Sequence, residues 1–91
     1  MKSVIQTKKS CFFCGTDQNL HDHHIFFGIS NRKNSERYGM KVWLCQEHHT
    51  GNVGVHFNKD MDLALKELAQ RKFEMSHDRE EFRTIFGKSW L

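Results

Sequence analysis

The pattern of apolar and polar positions predicts two short strands separated by a polar segment. Residues 20–27 and residues 40–44 are short runs with aliphatic and aromatic side chains, which are typical of strands. Between them, residues 28–39 begin and end with glycine and are rich in Ser, Asn, Arg and Lys, so we predict a polar loop there. Residues 50–58 contain two further glycines and are predicted to form a second loop.

A helix is predicted from about residue 60 to residue 73. Apolar side chains recur every three or four residues between Met61 and Phe73, which is the spacing of one face of a helix. Either Asn58 or Asp60 can cap its N-terminus, where acidic side chains also suit the helix dipole.

A last short helix is predicted over residues 78–87. Asp78 is followed three residues later by Glu81, which is a variant of the capping box, and Gly87 can end the helix. The two final residues, Trp90 and Leu91, are expected to fold back onto the core.

These elements indicate a small α+β fold in a single domain, residues 1–91, whose core spans residues 11–75 and is followed by the C-terminal helix. Residues 1–9 are expected to form a short strand or a basic arm. Residues 11–15 are expected to form a tight turn in which glycine adopts a positive φ. Five aromatic side chains are expected to fill part of the core: Phe12, Phe13, Phe26, Phe27 and Trp43.

The cysteine count argues against disulfides as the source of stability. The chain has three cysteines, an odd number, and two of them are separated by only two residues. This usage favours a reduced, intracellular, metal-binding protein. No apolar run approaches the length of a membrane span, and the N-terminal residues lack a signal-peptide core. We therefore expect a soluble cytoplasmic protein.

The net charge of +3 is unevenly distributed. Residues 1–59 contain eight Lys/Arg and four Asp/Glu, whereas residues 60–91 contain six and seven. The basic excess lies in the part of the chain that also contains the cysteines, which mildly favours a polyanionic partner.

Two pairs of residues have the spacing of structural zinc ligands. Cys11 and Cys14 form one pair, Cys45 and His48 form the other, and 30 residues separate the two pairs. Together they supply the Cys3His set that zinc accepts in closed tetrahedral sites, where binding contributes folding energy. The sequence therefore predicts a structural Zn²⁺ site, with His49 as the alternative to His48.

A second group of histidines and one aspartate lies beside these zinc pairs. A divalent ion held by Asp and His side chains with open positions can bind a phosphate oxygen, and a neighbouring neutral histidine can accept a proton from water. His21 is expected to lie on the surface, outside this group. The candidate residues are Asp22, His23, His24, His49 and His56.

The pattern resembles the HNH endonucleases, a family with a ββα-metal fold. The resemblance covers about residues 11–75 and is closest to small phage-type members, in which segments like residues 31–39 and 54–58 are also similar. The motifs that match in order are Cys11-x2-Cys14-Gly15, Asp22-His23-His24-Ile25 and Leu44-Cys45-x2-His48-His49.

The resemblance implies roles for individual residues. His24 would act as the general base, His23 would be the first ligand of a catalytic Mg²⁺ or Mn²⁺, and His49 with His56 would complete that site. If Asp22 and His23 form the family's Asp-His pair, these roles shift by one residue. Four basic residues would contact the DNA backbone without reading sequence: Arg32, Lys33, Arg37 and Lys41.

Two positions depart from the family pattern. The central asparagine that usually precedes the Leu-Cys motif is absent from residues 38–43. Asn31, Asn34 and Asn52 are candidates to replace it. Phe27 stands where the family has a proline.

Two functions follow from these observations. The first is a metal-dependent DNA endonuclease that hydrolyses phosphodiester bonds. The alternative is a catalytically degenerate, zinc-stapled HNH-like binding module, such as a phage-encoded inhibitor that binds a host nuclease or defence protein. The first needs an intact second site, whereas the binding module needs only the structural zinc.

Overall fold

The computed structural model describes residues 2–91 and has an α+β architecture, as predicted, with a two-stranded sheet and four helices. No helix among these residues has the length and apolarity needed to cross a membrane. The elements in chain order are β1 (Leu20–His24), α1 (Ile29–Tyr38), β2 (Lys41–Cys45), α2 (Gln46–His49), α3 (Lys59–Phe73) and α4 (Arg79–Phe86).

The two strands form an antiparallel hairpin in which Leu20 pairs with Cys45 and His24 pairs with Lys41. β1 is shorter than predicted because the chain leaves the sheet before Phe26. The backbone N–H of Phe26 donates to the Ser35 hydroxyl over 3.1 Å, and that hydroxyl donates to the Phe26 carbonyl over 2.7 Å. A side chain of α1 thus takes the hydrogen bonds that a longer strand would have given to a partner strand.

The prediction of a polar loop over residues 28–39 is wrong, because α1 occupies most of this segment. Apart from Tyr38, whose ring packs on Phe73 and Phe86, its inward-facing side chains are polar and bond to main chain. The amide of Asn31 donates to the Phe86 carbonyl over 3.1 Å, and the amide of Asn34 donates to the Ile85 carbonyl over 2.8 Å. α1 therefore packs against the end of α4 without an apolar stripe, and a pattern of apolar residues could not identify it.

Gly39 ends α1 in the left-handed conformation, with φ of 70°. A Cβ atom at this position would lie 2.6 Å from the Lys2 carbonyl oxygen, so the backbone approach as well as the φ requires glycine. The segment before the cysteine turn contacts the end of α1 here, since the N–H of Val4 donates to the Gly39 carbonyl over 3.0 Å. Residues 2–9 form no strand.

The core lies between the hairpin and the helices α3 and α4. α3 contributes Leu65, Ala69 and Phe73, which are at most 2% exposed, whereas Leu68 faces solvent. The Asn58 side chain caps α3 by accepting hydrogen bonds from two backbone N–H groups. The Asp78 side chain caps α4 by accepting a hydrogen bond from one backbone N–H group. The centre of the core is an aromatic group of Phe26, Phe82, Phe86 and Trp90.

Three of the five aromatic residues that were expected in the core are exposed. Phe12 and Phe13 lie on the cysteine turn, which is too tight to fold their side chains inward, and Phe27 lies beyond the end of β1. Phe26 is fully buried, and Trp43 is half-buried on the outer face of the hairpin.

Candidate metal centres

The four residues of the predicted zinc site lie close together. We call Cys11, Cys14, Cys45 and His48 the thiolate cluster, because their ligand atoms all lie within 4.8 Å of one another. The sulfurs of Cys14 and Cys45 are 3.8 Å apart, and Nδ1 of His48 lies 3.7 Å from the Cys11 sulfur and 3.2 Å from the Cys45 sulfur. The cluster can therefore hold a metal ion.

Local structure explains how the thiolate cluster forms. The N–H of Gly15 donates to the Cys11 carbonyl over 2.8 Å, and Gly15 has a φ of 79°, which closes the first turn. Cys45 ends β2 and His48 lies in the single turn of α2 that follows, so both side chains of the second pair face the same way. A four-ligand zinc tetrahedron separates sulfur and nitrogen atoms by roughly 3.6–3.8 Å, close to these distances.

The electrostatics of the thiolate cluster also suit a cation. Burial raises the pKa of Cys11, but hydrogen bonds from backbone N–H groups of both pairs outweigh it and lower the pKa to about 6. A backbone hydrogen bond at Thr16 lowers the pKa of Cys14, but desolvation and the neighbouring thiols raise it above its ordinary value. The neighbouring thiols thus oppose the ionisation of Cys14, an effect that a bound cation would relieve.

Three histidines from separate elements form a second group. We call His23 of β1, His49 of α2 and His56 of the following loop the histidine cluster, because one nitrogen of each lies within 4.8 Å of the others. Nε2 of His49 lies 3.1 Å from Nε2 of His56. Nε2 of His23 is buried and has no hydrogen-bond partner among the described residues. A buried nitrogen without a partner is costly, and a bound metal ion would satisfy it.

Burial lowers the pKa values of two members of the histidine cluster, His23 and His49. Desolvation is the main cause that lowers the pKa of His23 to about 3, with smaller contributions from His49 and His56. Desolvation, followed by the charges of His56 and His21, lowers the pKa of His49 to about 4. Both imidazoles therefore offer unprotonated nitrogens at neutral pH, as metal ligands must.

Asp22 and His24 do not join the histidine cluster, because neighbouring residues of a strand point to opposite faces. Nε2 of His24 lies 3.0 Å from a carboxylate oxygen of Glu36, and the ammonium of Lys41 lies 3.1 Å from the Asp22 carboxylate and 3.0 Å from that of Glu36. Lys41, which was expected to contact DNA, is thus engaged by two carboxylates. His23, and not its neighbour, faces the other histidines.

The two faces of β1 meet at an open cavity of about 230 Å³. Arg32 of α1 and Phe27 also line this cavity, and Phe27 is 51% exposed. A ligand in the cavity can contact the histidine cluster and His24 together. Its lining residues are Asp22, His23, His24, Phe27, Arg32, His49 and His56.

α1 extends this cavity along a basic surface. Arg32, Lys33 and Arg37 are exposed on one side of the helix and line a second cavity of about 570 Å³. This cavity shares Arg32 and His24 with the 230 Å³ cavity at the histidine cluster, which we call the histidine cavity. We call these three side chains the basic face of α1, and they place positive charge beside the histidine cluster.

Sequence reasoning missed two residues that contact the candidate site. His21, expected on the surface, is half-buried, with Nδ1 2.8 Å from Nδ1 of His49. Its position two residues before His23 was an available signal, because residues i and i+2 of a strand share a face. Glu36 gave no such signal, since its contact with His24 depends on the helix that was predicted as a loop.

Comparison with protein-family models, with curated proteins and with solved structures returns no match for this chain. The geometry of the two clusters and the chemistry of their side chains therefore indicate what the protein can do.

We predict that the two clusters fill in order, because α2 carries ligands of both. His48 belongs to the thiolate cluster and the adjacent His49 to the histidine cluster, so a metal held by His48 fixes the position of His49. In a titration of reduced, metal-free protein with Co²⁺, the thiolate-to-cobalt band should reach its maximum at one equivalent. A second ion should then bind at least about tenfold more weakly, a difference of about 1.4 kcal/mol.

The variant His56→Ala provides the control for this titration, since it removes one nitrogen from the histidine cluster and leaves the thiolate cluster intact. It should lose the second binding step and keep the first. Binding of both ions in one step, or binding to the histidines before the thiolates, would show that α2 does not couple the clusters.

Proposed function

We propose that the protein is a metal-dependent DNA endonuclease that hydrolyses phosphodiester bonds. The observation that carries this proposal is the open cavity in which three clustered histidines, one with a buried and unpartnered nitrogen, lie beside a further histidine and an arginine. A divalent ion, a base and a phosphate-binding cation are the parts that such a hydrolysis requires. The resemblance to the HNH endonucleases agrees with this assignment.

The two clusters have different proposed tasks. The thiolate cluster would hold Zn²⁺ as a structural ion, because four side chains complete its tetrahedron and leave no position for a substrate. The histidine cluster has three ligands and an open side, so His23, His49 and His56 would hold a divalent ion with positions left for solvent and phosphate. When bound, that ion would stabilise negative charge on the phosphate and on the leaving 3′ oxygen.

The types of ligand atom in the histidine cluster indicate which ion it would bind. Mg²⁺ prefers carboxylate and phosphate oxygens, whereas imidazole suits transition ions such as Zn²⁺. The resemblance implies Mg²⁺ or Mn²⁺, but the Asp22 carboxylate lies with His24 and Glu36 and not with the histidine cluster. We therefore expect transition ions to support cleavage better than Mg²⁺.

His24 is the proposed general base. Its Nε2 contacts Glu36 over 3.0 Å, which holds the ring in place and leaves Nδ1 to accept a proton. A water molecule would transfer this proton to Nδ1 while its oxygen forms a bond to phosphorus. The bond from phosphorus to the 3′ oxygen would break, and the leaving oxygen would take up a proton from solvent.

The basic face of α1 is the proposed contact with the DNA backbone. Arg32 lies at the histidine cavity, and Lys33 and Arg37 continue along the helix away from it. Contacts of this kind position a duplex without reading its sequence, and they weaken as salt concentration rises. Lys41 is less suited to this role, because its side chain is only 13% exposed between two carboxylates.

The test is cleavage of supercoiled plasmid by the purified, zinc-loaded protein with added Mg²⁺, Mn²⁺, Co²⁺ or Zn²⁺. We expect nicked and linear products with a transition ion and none after chelation of the weakly bound ion. His77→Ala is a matched control, because His77 lies outside both clusters and its loss should leave cleavage intact. A folded, zinc-loaded protein that cuts no DNA with any of these ions would contradict the proposal and favour the binding module.

A further inference from the structure

His21 lies against the outer side of the histidine cluster. It shares a face of β1 with His23, and its ring meets the His49 ring nearly edge to face, with centroids 4.9 Å apart and planes at 80°. The two Nδ1 atoms are 2.8 Å apart, which is the distance of a hydrogen bond between nitrogens. Such a contact needs one proton, so one ring donates and the other accepts.

The other side of the His49 ring decides which one donates. Nε2 of His49 is the atom that faces His56, at 3.1 Å, so it is the nitrogen that His49 directs at the histidine cluster. A nitrogen that binds a metal ion must present its lone pair, so the proton of a neutral, metal-binding His49 lies on Nδ1. That N–H then points to Nδ1 of His21, which accepts and carries its own proton on Nε2.

We propose that His21 is a positioning residue that fixes the tautomer and the ring orientation of His49 for metal binding. His21 is not a fourth ligand. Its Nδ1 contacts Nδ1 of His49, whereas the nitrogen of His49 that faces the cluster is Nε2. This inference rests on the proposed metal ion in the histidine cluster, and it does not depend on whether the protein cuts DNA. Outer hydrogen-bond partners of this kind typically change metal affinity by about 10–100-fold.

Two substitutions of His21 separate positioning from packing. His21→Leu keeps a side chain of similar bulk but removes the acceptor, whereas His21→Gln supplies a carbonyl oxygen that can accept the N–H of His49. With one equivalent of Zn²⁺ in the thiolate cluster, the full chain is titrated with Co²⁺. We expect His21→Leu to bind the second ion about 10–100-fold more weakly and His21→Gln to stay within a few fold of the wild type.

A nitrogen-15 NMR spectrum that correlates ring nitrogens with ring protons tests the tautomer directly. In the wild type, the proton of His49 should lie on Nδ1 both before and after the second ion binds. If His21→Leu does not fold, this spectrum of the wild type and the affinity of His21→Gln still decide the question. His77→Leu is the matched control and should bind the second ion normally.

The inference is overturned if His21→Leu binds the second Co²⁺ as tightly as the wild type, if His21→Gln binds as weakly as His21→Leu, or if the His49 proton lies on Nε2. A wild type that binds no second ion overturns both this inference and the proposed nuclease. A wild type that binds two ions and shows the expected effects of His21, but cuts no DNA, overturns the nuclease alone.

Discussion

Replacing Cys14 by serine is expected to remove most of the stability of the metal-loaded protein. Cys14 is exposed, so the substitution removes one of the four candidate metal ligands with little loss of apolar packing. Structural zinc in small domains contributes about 10–16 kcal/mol to folding, whereas a protein domain is typically stable by about 5–15 kcal/mol. A chain of 91 residues without this metal is therefore expected to be largely unfolded.

Thermal and urea unfolding, followed by circular dichroism, measures this effect. The zinc-loaded wild type should unfold in a cooperative transition, and either chelation or Cys14→Ser should abolish or sharply lower that transition. The control is the same pair of proteins after chelation, which should behave alike if Cys14 acts through the metal. A zinc-loaded Cys14→Ser protein that unfolds within a few degrees of the wild type would contradict a structural role for the thiolate cluster.

The thiolate cluster was predictable because its ligands lie on two local turns. Spacing of two residues between Cys11 and Cys14, and between Cys45 and His48, is enough to place each pair on one turn. The structure then brings the two pairs together, since the N–H of Phe12 donates to the Trp43 carbonyl of β2 over 2.8 Å and Cys45 ends that strand. The helix ends were predictable for the same reason, because caps such as Asn58 and Asp78 act within a single turn.

α1 and its consequences were not predictable from the apolar pattern. Besides Tyr38, the residues by which α1 meets the core are Asn31, Asn34 and Ser35, and each bonds to main chain outside the helix. Such bonds stabilise a helix only when the rest of the fold presents its backbone groups, so they leave no local signal. The contact of Glu36 with His24 was not predictable for the same reason, because Glu36 lies on α1.

The second site illustrates the same limit. The sequence indicated a group of five residues, and the structure divides that group between the two faces of β1. Alternation along a strand places the side chains of His23 and His24 on opposite faces, but it does not indicate which of them meets His49 and His56. That choice depends on where α2 and the following loop lie, which long-range packing decides.

Replacing His24 by alanine is expected to lower the rate of DNA cleavage by about 10²–10⁴-fold, the usual contribution of a general base. Metal binding by the histidine cluster should not change, because His24 lies outside it. His23→Ala, in contrast, should lose the second metal ion together with cleavage. The comparison requires two measurements on the wild type, His24→Ala and His23→Ala. One is the cleavage rate at saturating metal concentration, and the other is the affinity for Co²⁺.

The same pair of variants decides which histidine is the base. If His24 accepts the proton, the two activities separate: His24→Ala binds metal normally and fails to cut, whereas His23→Ala fails at both. If instead His23 were the base, His23→Ala would keep its second metal ion and His24→Ala would keep much of its activity. The buried, unpartnered Nε2 of His23 argues against that outcome, because a general base must reach the water from which it takes a proton.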